Sequence, residues 1–221
     1  MEKDKILLIR LEGPLQSWGE RSKWDYRDTA DFPTKSGVIG MIACAMGLER
    51  TDAQIGKLCE QLYMAVRADR KGEIITDFHT VTAEKLLKAN GEKRANGNTV
   101  ISRRSYLQDA SFLIALEGED TVIEECSQAL KHPKWSIYLG RKSCVPSVPV
   151  IGVVIAGGHG SLEEVIKNQP LTARHDSCIS YQIESDREGC ARSDVRLPVS
   201  DRRYGIRFVK VGSFIPKKEE N

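Results

Sequence analysis

The chain opens on a compact apolar run, KILLIRL (residues 5–11), whose β-branched and leucine side chains predict a strand buried on at least one face. Gly13-Pro14 ends it and begins a polar loop, LQSWGERSKWDYRDTADFP. TKSGVIGMIACAMG (34–47) is small or apolar at most positions, as suits a helix pressed closely on a sheet. Pro33 precedes that helix, Thr34 or Ser36 caps it, and Gly47 stands where it ends. TDAQIGKLCEQL (51–62) predicts a second helix, with Thr51 and Gln54 at capping-box spacing. YMAVRADR (63–70) alternates apolar and polar residues as a strand does, and KG turns it into another strand, EIITDFHTV (73–81).

The pattern then breaks. Residues 82–104 carry Lys85, Lys88, Lys93, Arg94, Arg103 and Arg104 against Glu84 and Glu92, with two Asn-Gly pairs between. Such a segment has little to bury, so it is an excursion from the sheet that orders on a partner. The chain returns through YLQDASFLIALEG (106–118) as one strand, EDTVIEECSQALKH (119–132) as an amphipathic helix and WSIYL (135–139) as a short strand. Strand–helix–strand–strand–helix–strand is the ferredoxin-like order, an α+β fold. After residue 150 come an apolar strand in PVIGVVIAGG, a helix in SLEEVIKN with a Ser161–Glu164 capping box, and an alternating strand in RRYGIRFVKV. The tail PKKEEN frays.

Composition narrows the classes. A chain of 221 residues at 40% hydrophobic content builds a real core, and a net charge of +2 makes any nucleic-acid surface a matter of local segregation. No apolar stretch reaches the roughly 20 residues that span a bilayer, and the first apolar run is too short and too flanked by charge for a signal peptide. The six cysteines contain no C-x-x-C, so a reduced cytoplasmic protein with buried thiols is expected. His175 and Cys178 form an H-x-x-C pair without a second pair at zinc spacing, AGGHGS matches no phosphate-loop pattern, and no G-x-S-x-G is present. No metal, cofactor or nucleophile is expected.

What remains is a recurrence of cations at element ends. Lys35 and Ser36 follow Thr34 at a helix start, where free N–H groups favour an anion. Arg27 lies in the loop before, Arg103 and Arg104 at the base of the excursion, and Arg141 and Lys142 in YLGRKSC (138–144). His79 ends a strand beside the excursion. It serves either as a base that deprotonates a ribose hydroxyl or as a hydrogen-bonding partner of a loop or an RNA backbone. Among Trp18, Trp24, Tyr106, Trp135 and Tyr138, only Tyr138 is assigned to base stacking. Replacing both Arg141 and Lys142 with alanine is expected to spare the fold, since exposed loop cations seldom support a core.

GPLQSWG, FPTKSGVIGMIACAMGL, DFHTV, RRSYLQDASF and YLGRKSC, in this order and spacing, resemble the CasD family, a subunit of the type I-E CRISPR surveillance complex Cascade. The resemblance covers nearly all of the first 150 residues. It implies a single RAMP-type domain over 1–221. A ferredoxin-like, RRM-type palm would span 1–150, with a thumb hairpin inserted at about 82–104, and a strand-rich extension would follow over 151–221. It also implies that palm and thumb grip the 5′ handle of the CRISPR RNA. The site residues would then be Arg27, Thr34, Lys35, Ser36, His79, Arg103, Arg104, Tyr138, Arg141 and Lys142. The implied partners are the backbone subunits and the large subunit that recognises the PAM, with target DNA met only through the complex and no membrane. The implied role is non-catalytic. The competing reading is a metal-independent endoribonuclease on precursor RNA, as in the subtype I-C relatives, which use a tyrosine, a lysine and a histidine; no such triad maps onto this sequence.

Overall fold

The computed structural model describes residues 5–23, 25–82, 87, 91–92, 99–156, 160–172, 178–199 and 203–216. β1 (Lys5–Glu12), β2 (Leu15–Gln16) and β3 (Tyr26–Arg27) precede α1 (Lys35–Met46) and α2 (Gln54–Gln61). β4 (Tyr63–Arg70), β5 (Glu73–Thr82), β6 (Thr99–Gln108) and β7 (Ser111–Gly118) lead into α3 (Asp120–Lys131). Then come β8 (Gly152–Ile155), α4 (Leu162–Asn168), β9 (Ile179–Ser185), β10 (Cys190–Arg196) and β11 (Tyr204–Phe214).

Seven strands form one antiparallel sheet in the order β10-β11-β9-β4-β7-β1-β8. Its β8-β1-β7-β4 half interleaves two strand–helix–strand units, β1–α1–β4 and β7–α3–β8. Leu7, Ile9 and Leu11 of β1 pack with Val38, Ile39 and Ile42 of α1 and Ile123 and Leu130 of α3 on one face. Ile6 and Leu8 pack with Leu162, Val165 and Ile166 of α4 on the other. Both faces are covered, which is why KILLIRL reads as an unbroken apolar run. The last three strands extend the same sheet through the β4–β9 pairing.

A second, four-stranded sheet carries the hairpin. β5 and β6 pair without a break from Glu73↔Gln108 to Thr82↔Thr99, β2 flanks β6 on one side, and β3 runs parallel to β6 with Arg27 opposite Arg104. Of the excursion expected at 82–104, residues 99–104 are therefore ladder; 83–86, 88–90 and 93–98 lie outside the described residues.

Three local expectations need correction. WSIYL is not a strand: residues 135–139 are irregular, and the fourth strand of the interleaved half is β8. YLQDASFLIALEG is two strands, because Asp109 takes φ 55° and turns the chain between β6 and β7. Thr51 and Gln54 form no capping box; Ala53 sits at the N-cap, and Asp52 Oδ1 accepts from the Gln54 N–H at 2.8 Å. YMAVRADR is the expected strand, β4, with the polar Arg67 and Asp69 buried as well as its apolar residues. Arg67 Nε donates to Asp69 at 2.6 Å, and its Nη groups donate to the carbonyls of Ile166, Gln169 and Pro170. The remaining cap expectations hold: Thr34 accepts from the Gly37 N–H, Gly47 closes α1 at φ 75°, and Ser161 and Glu164 bond reciprocally.

Candidate nucleic-acid interface

The loop 138–144 is held by its apolar ends. Leu139 and Cys144 are buried, Leu139 N–H donates to Cys144 O at 2.7 Å, and Ser17 N–H donates to Leu139 O at 3.0 Å. Gly140 is at φ +92°, and a Cβ there would sit 1.7 Å from Ser17 O, so only glycine fits between the two segments. Arg141 and Lys142 follow at the apex with different fates. Arg141 Nη1 donates to Ser105 O at 3.0 Å, and Nη2 donates to Arg27 O at 3.0 Å and Asp28 O at 3.1 Å. Its guanidinium lies 4.6 Å from the centroid of the buried Tyr106 ring. Arg141 is thus a joint between β3, β6 and the loop, which corrects the expectation that it could be removed without cost to the fold. Lys142 is exposed and makes no hydrogen bond or ion pair among the described residues.

Between this loop and the base of the hairpin runs a groove of about 860 Å³. The two-residue period of strands sets most of its lining, with Thr76 the exception. Ile75, Asp77 and His79 stand opposite Tyr106, Arg104 and Ser102 in the ladder, and Ile75, Asp77, His79, Arg104 and Tyr106 all line the groove. Tyr138, Arg141 and Lys142 face them, with Arg50 closing one side. Four guanidinium or ammonium groups therefore surround one carboxylate, Asp77. Arg103, one residue on, belongs to the opposite face and stacks 6.0 Å over the exposed Phe78, outside the groove. His79 is half-buried, and its Nδ1 has no hydrogen-bond partner.

The start of α1 departs further from expectation. Thr34 and Lys35 are buried, and the anion at this helix terminus is the protein's own: the Lys35 N–H donates to Asp194 Oδ2 at 2.8 Å. Lys35 Nζ pairs with Glu184 at 2.6 Å, and Arg207 donates to both Asp194 oxygens at 2.7 and 2.9 Å. Burial alone would push the Asp194 carboxyl up; the Arg207 guanidinium and the Lys35 N–H outweigh it and hold it below its ordinary value. Lys35 thus latches α1 to β9 and β10 rather than lining an open face with Lys142, whereas Thr34, the cap, also lines the depression bordered by Ser36 and Arg27. Ser36 and Arg27 border a neighbouring depression of about 630 Å³ that Arg104 and Arg141 also reach.

Of the aromatic candidates, Trp18 is core, its Nε1 donating to Gln16 at 3.1 Å, and Tyr106 lies beneath Arg141. Trp135 is exposed, Tyr138 lines the groove, and Trp24 lies outside the described residues. Arg50 escaped sequence reading because GLERTD shows only an ordinary loop; the connection from α1 to α2 carries it to the groove. Neither His175 nor residues 157–159 of AGGHGS are among the described residues, and no cluster of metal-ligating side chains occurs among those that are. Burial lifts the Cys59 thiol to about 11 and that of Cys126 to about 12.

An interleaved sheet with a projecting hairpin and a basic groove at the hairpin's base defines the class, a mixed α/β protein with a cationic cleft. The family described as CRISPR-associated protein (Cas_Cas5) matches residues 6–210, and the chain belongs to it. The CRISPR system Cascade subunit CasD of Escherichia coli (strain K12) is 35% identical over 158 residues, covering 65% of this chain and 68% of that protein. A solved chain of a CRISPR RNA-guided surveillance complex superposes with a TM-score of 0.79 at 32% identity, over 95% of this chain and 90% of its own. A crystal structure of a Cas protein gives 0.74 at 36% identity, over 96% and 95%. The chain is a homologue of a Cascade subunit. No helix among the described residues is long and apolar enough to cross a membrane.

Proposed function

We propose that this protein is a non-catalytic RNA-binding subunit of a type I-E Cascade complex. It grips the 5′ handle of the CRISPR RNA and links the backbone subunits to the large PAM-recognising subunit in the cytoplasm. The observation that carries the reading is the groove in which Arg50, Arg104, Arg141 and Lys142 surround Tyr138 and His79. Single-stranded RNA is held by cations on its phosphates and aromatic faces under its splayed bases. In this reading the β8-β1-β7-β4 half is a ferredoxin-like palm, the β5–β6 hairpin is the base of the RAMP thumb, and β9–β11 form the extension. The names of the relatives, a Cascade subunit and a surveillance complex, agree with it. Target DNA is met only through the complex.

The test is assembly of the whole complex on competing guides. Guides with an intact 5′ handle are retained and those with a scrambled handle are lost; equal retention of handle-free RNA overturns the proposal.

One observation favours a second reading. His79, Lys142 and Tyr138 line one groove, bringing together the three residue types that the sequence keeps apart. A metal-independent ribonuclease would use them as base, phosphorane stabiliser and positioning group. Cleavage of a repeat RNA by the isolated protein, abolished by His79→Ala, would establish that reading against the scaffold.

A further inference from the structure

Nine of the ten residues of β5 are exposed, and the tenth, His79, is half-buried. Among the described strands β5 pairs with β6 alone, and no register shift interrupts that ladder. Along its other side, half of its residues turn N–H and C=O groups outward. Proteins guard such an edge with lysine, proline, a bulge or brevity. β5 has no lysine and no proline, and it exposes Ile74, Ile75, Phe78 and Val81. Beyond Glu73 at its start, Asp77 is its one carboxylate.

An open edge of this kind accepts another strand, and the residues of β5 select which. Let a second copy of β5 add antiparallel about a two-fold axis at Phe78. Phe78 then stands opposite Phe78, Asp77 opposite His79, Thr76 opposite Thr80, Ile75 opposite Val81 and Ile74 opposite Thr82. The Asp77 carboxylate meets an imidazole that can donate to it, and the symmetry makes this contact twice. Aliphatic side chains meet aliphatic ones, and threonine meets threonine. The two Phe78 rings meet on the face where Arg103 already lies 6.0 Å from the ring centroid within its own chain. Neighbouring two-fold registers lack this match. An axis at Asp77 sets two carboxylates face to face, and one at His79 sets Asp77 against Val81. A strand that complements itself in this way is matched to a second copy of the chain better than to a foreign segment.

We infer that β5 is a self-association edge: two copies of this protein pair β5 with β5 about Phe78 and join their hairpins into one continuous sheet, β6-β5-β5-β6. The pairing draws on Asp77 and His79 of the first groove's wall but on none of its arginines or lysines, and it does not rest on the RNA-binding reading.

The test is sedimentation equilibrium of the full-length protein without RNA, from about 1 to about 100 μM, the range in which small interfaces dissociate. The wild type should pass from 24.7 kDa to twice that mass and stop there, because a two-fold contact closes. Phe78→Lys sets two ammonium groups on the axis and should leave a monomer with an unchanged circular dichroism spectrum, since Phe78 is exposed. His79→Asp sets carboxylate against carboxylate and should weaken the dimer about tenfold; adding Asp77→His exchanges the partners and should restore it. In a chain carrying Cys178→Ser and Cys190→Ser, Phe78→Cys should give a covalent dimer with oxidised glutathione, and Ile74→Cys should not. Opposed Cα atoms lie about 4.5–5.5 Å apart, within disulfide reach. A wild type that stays monomeric throughout overturns the inference; if Phe78→Lys then loses other subunits of the complex, the edge belongs to a partner's strand. A dimer that survives Phe78→Lys lies elsewhere on the surface and overturns it as well. So do growth beyond two copies and failure of the double exchange to restore what His79→Asp removes. Should Phe78→Lys not fold, the exchange pair and the cysteine decide.

Discussion

Arg141→Ala separates a cation that builds the site from one that serves it. The guanidinium donates to the carbonyls of Ser105, Arg27 and Asp28 and caps the Tyr106 ring. Hydrogen bonds to a charged group contribute about 1.5–3 kcal/mol each when desolvated. The cation–π contact adds roughly 0.5–1 kcal/mol. Arg141 is only half-buried, so water reaches some of the freed carbonyls, and a total loss of about 2–4 kcal/mol follows. For a chain of this length that lowers the thermal midpoint by roughly 5–15 °C. Lysine is no substitute, since one ammonium cannot reproduce the planar fork that reaches three carbonyls. Lys142→Ala is the control: its stability change should stay within about 0.5 kcal/mol, and its RNA affinity should fall with a salt slope lower by about one. The assay is calorimetric melting of both variants beside RNA titrations across a salt series. An Arg141→Ala protein that melts like wild type yet loses RNA would refute the structural role and make Arg141 a direct RNA contact.

Gly140→Ala should cost more than about 2 kcal/mol, because it combines positive φ with a collision against Ser17 O; a soluble variant with an unchanged denaturation midpoint would contradict the packing at this turn. Asp194 has its pKa depressed in the fold, so its stabilisation is complete above the unfolded value of about 3.9 and lost as pH falls through the folded one. Asp194→Asn should therefore be less stable at neutral pH, with the gap closing on acidification; a gap independent of pH would argue against the pairing with Arg207. Alkylation near pH 8, read by mass spectrometry, should label Cys178 and Cys190, which are exposed, and spare Cys59 and Cys126, whose thiols are buried and held protonated, until denaturant is added.

Periodicity, caps and turns are local properties, and on them the sequence is a sound guide. β1, α1, α3, α4 and the caps at Thr34, Gly47 and Ser161 lie where the pattern places them, because each depends on residues within a turn or two of chain. Family membership is equally legible, since motifs such as GPLQSWG and YLGRKSC need only order and spacing. Which cation is free and which is consumed is not local. Arg141 looks like Lys142 in the sequence; only the approach of β3 and β6 brings three carbonyls within reach of one and leaves the other in solvent. Lys35 marks a helix start, yet the carboxylates that partner it are about 150 residues further along the chain, on strands that only the tertiary fold brings to α1. Arg103 and Arg104 are neighbours that a two-residue period sends to opposite faces. WSIYL has strand-like composition, yet the place beside β1 that it would fill is taken by β8. Charge pairing and strand position depend on which distant segments the chain brings to the same place, and that is decided by the tertiary fold.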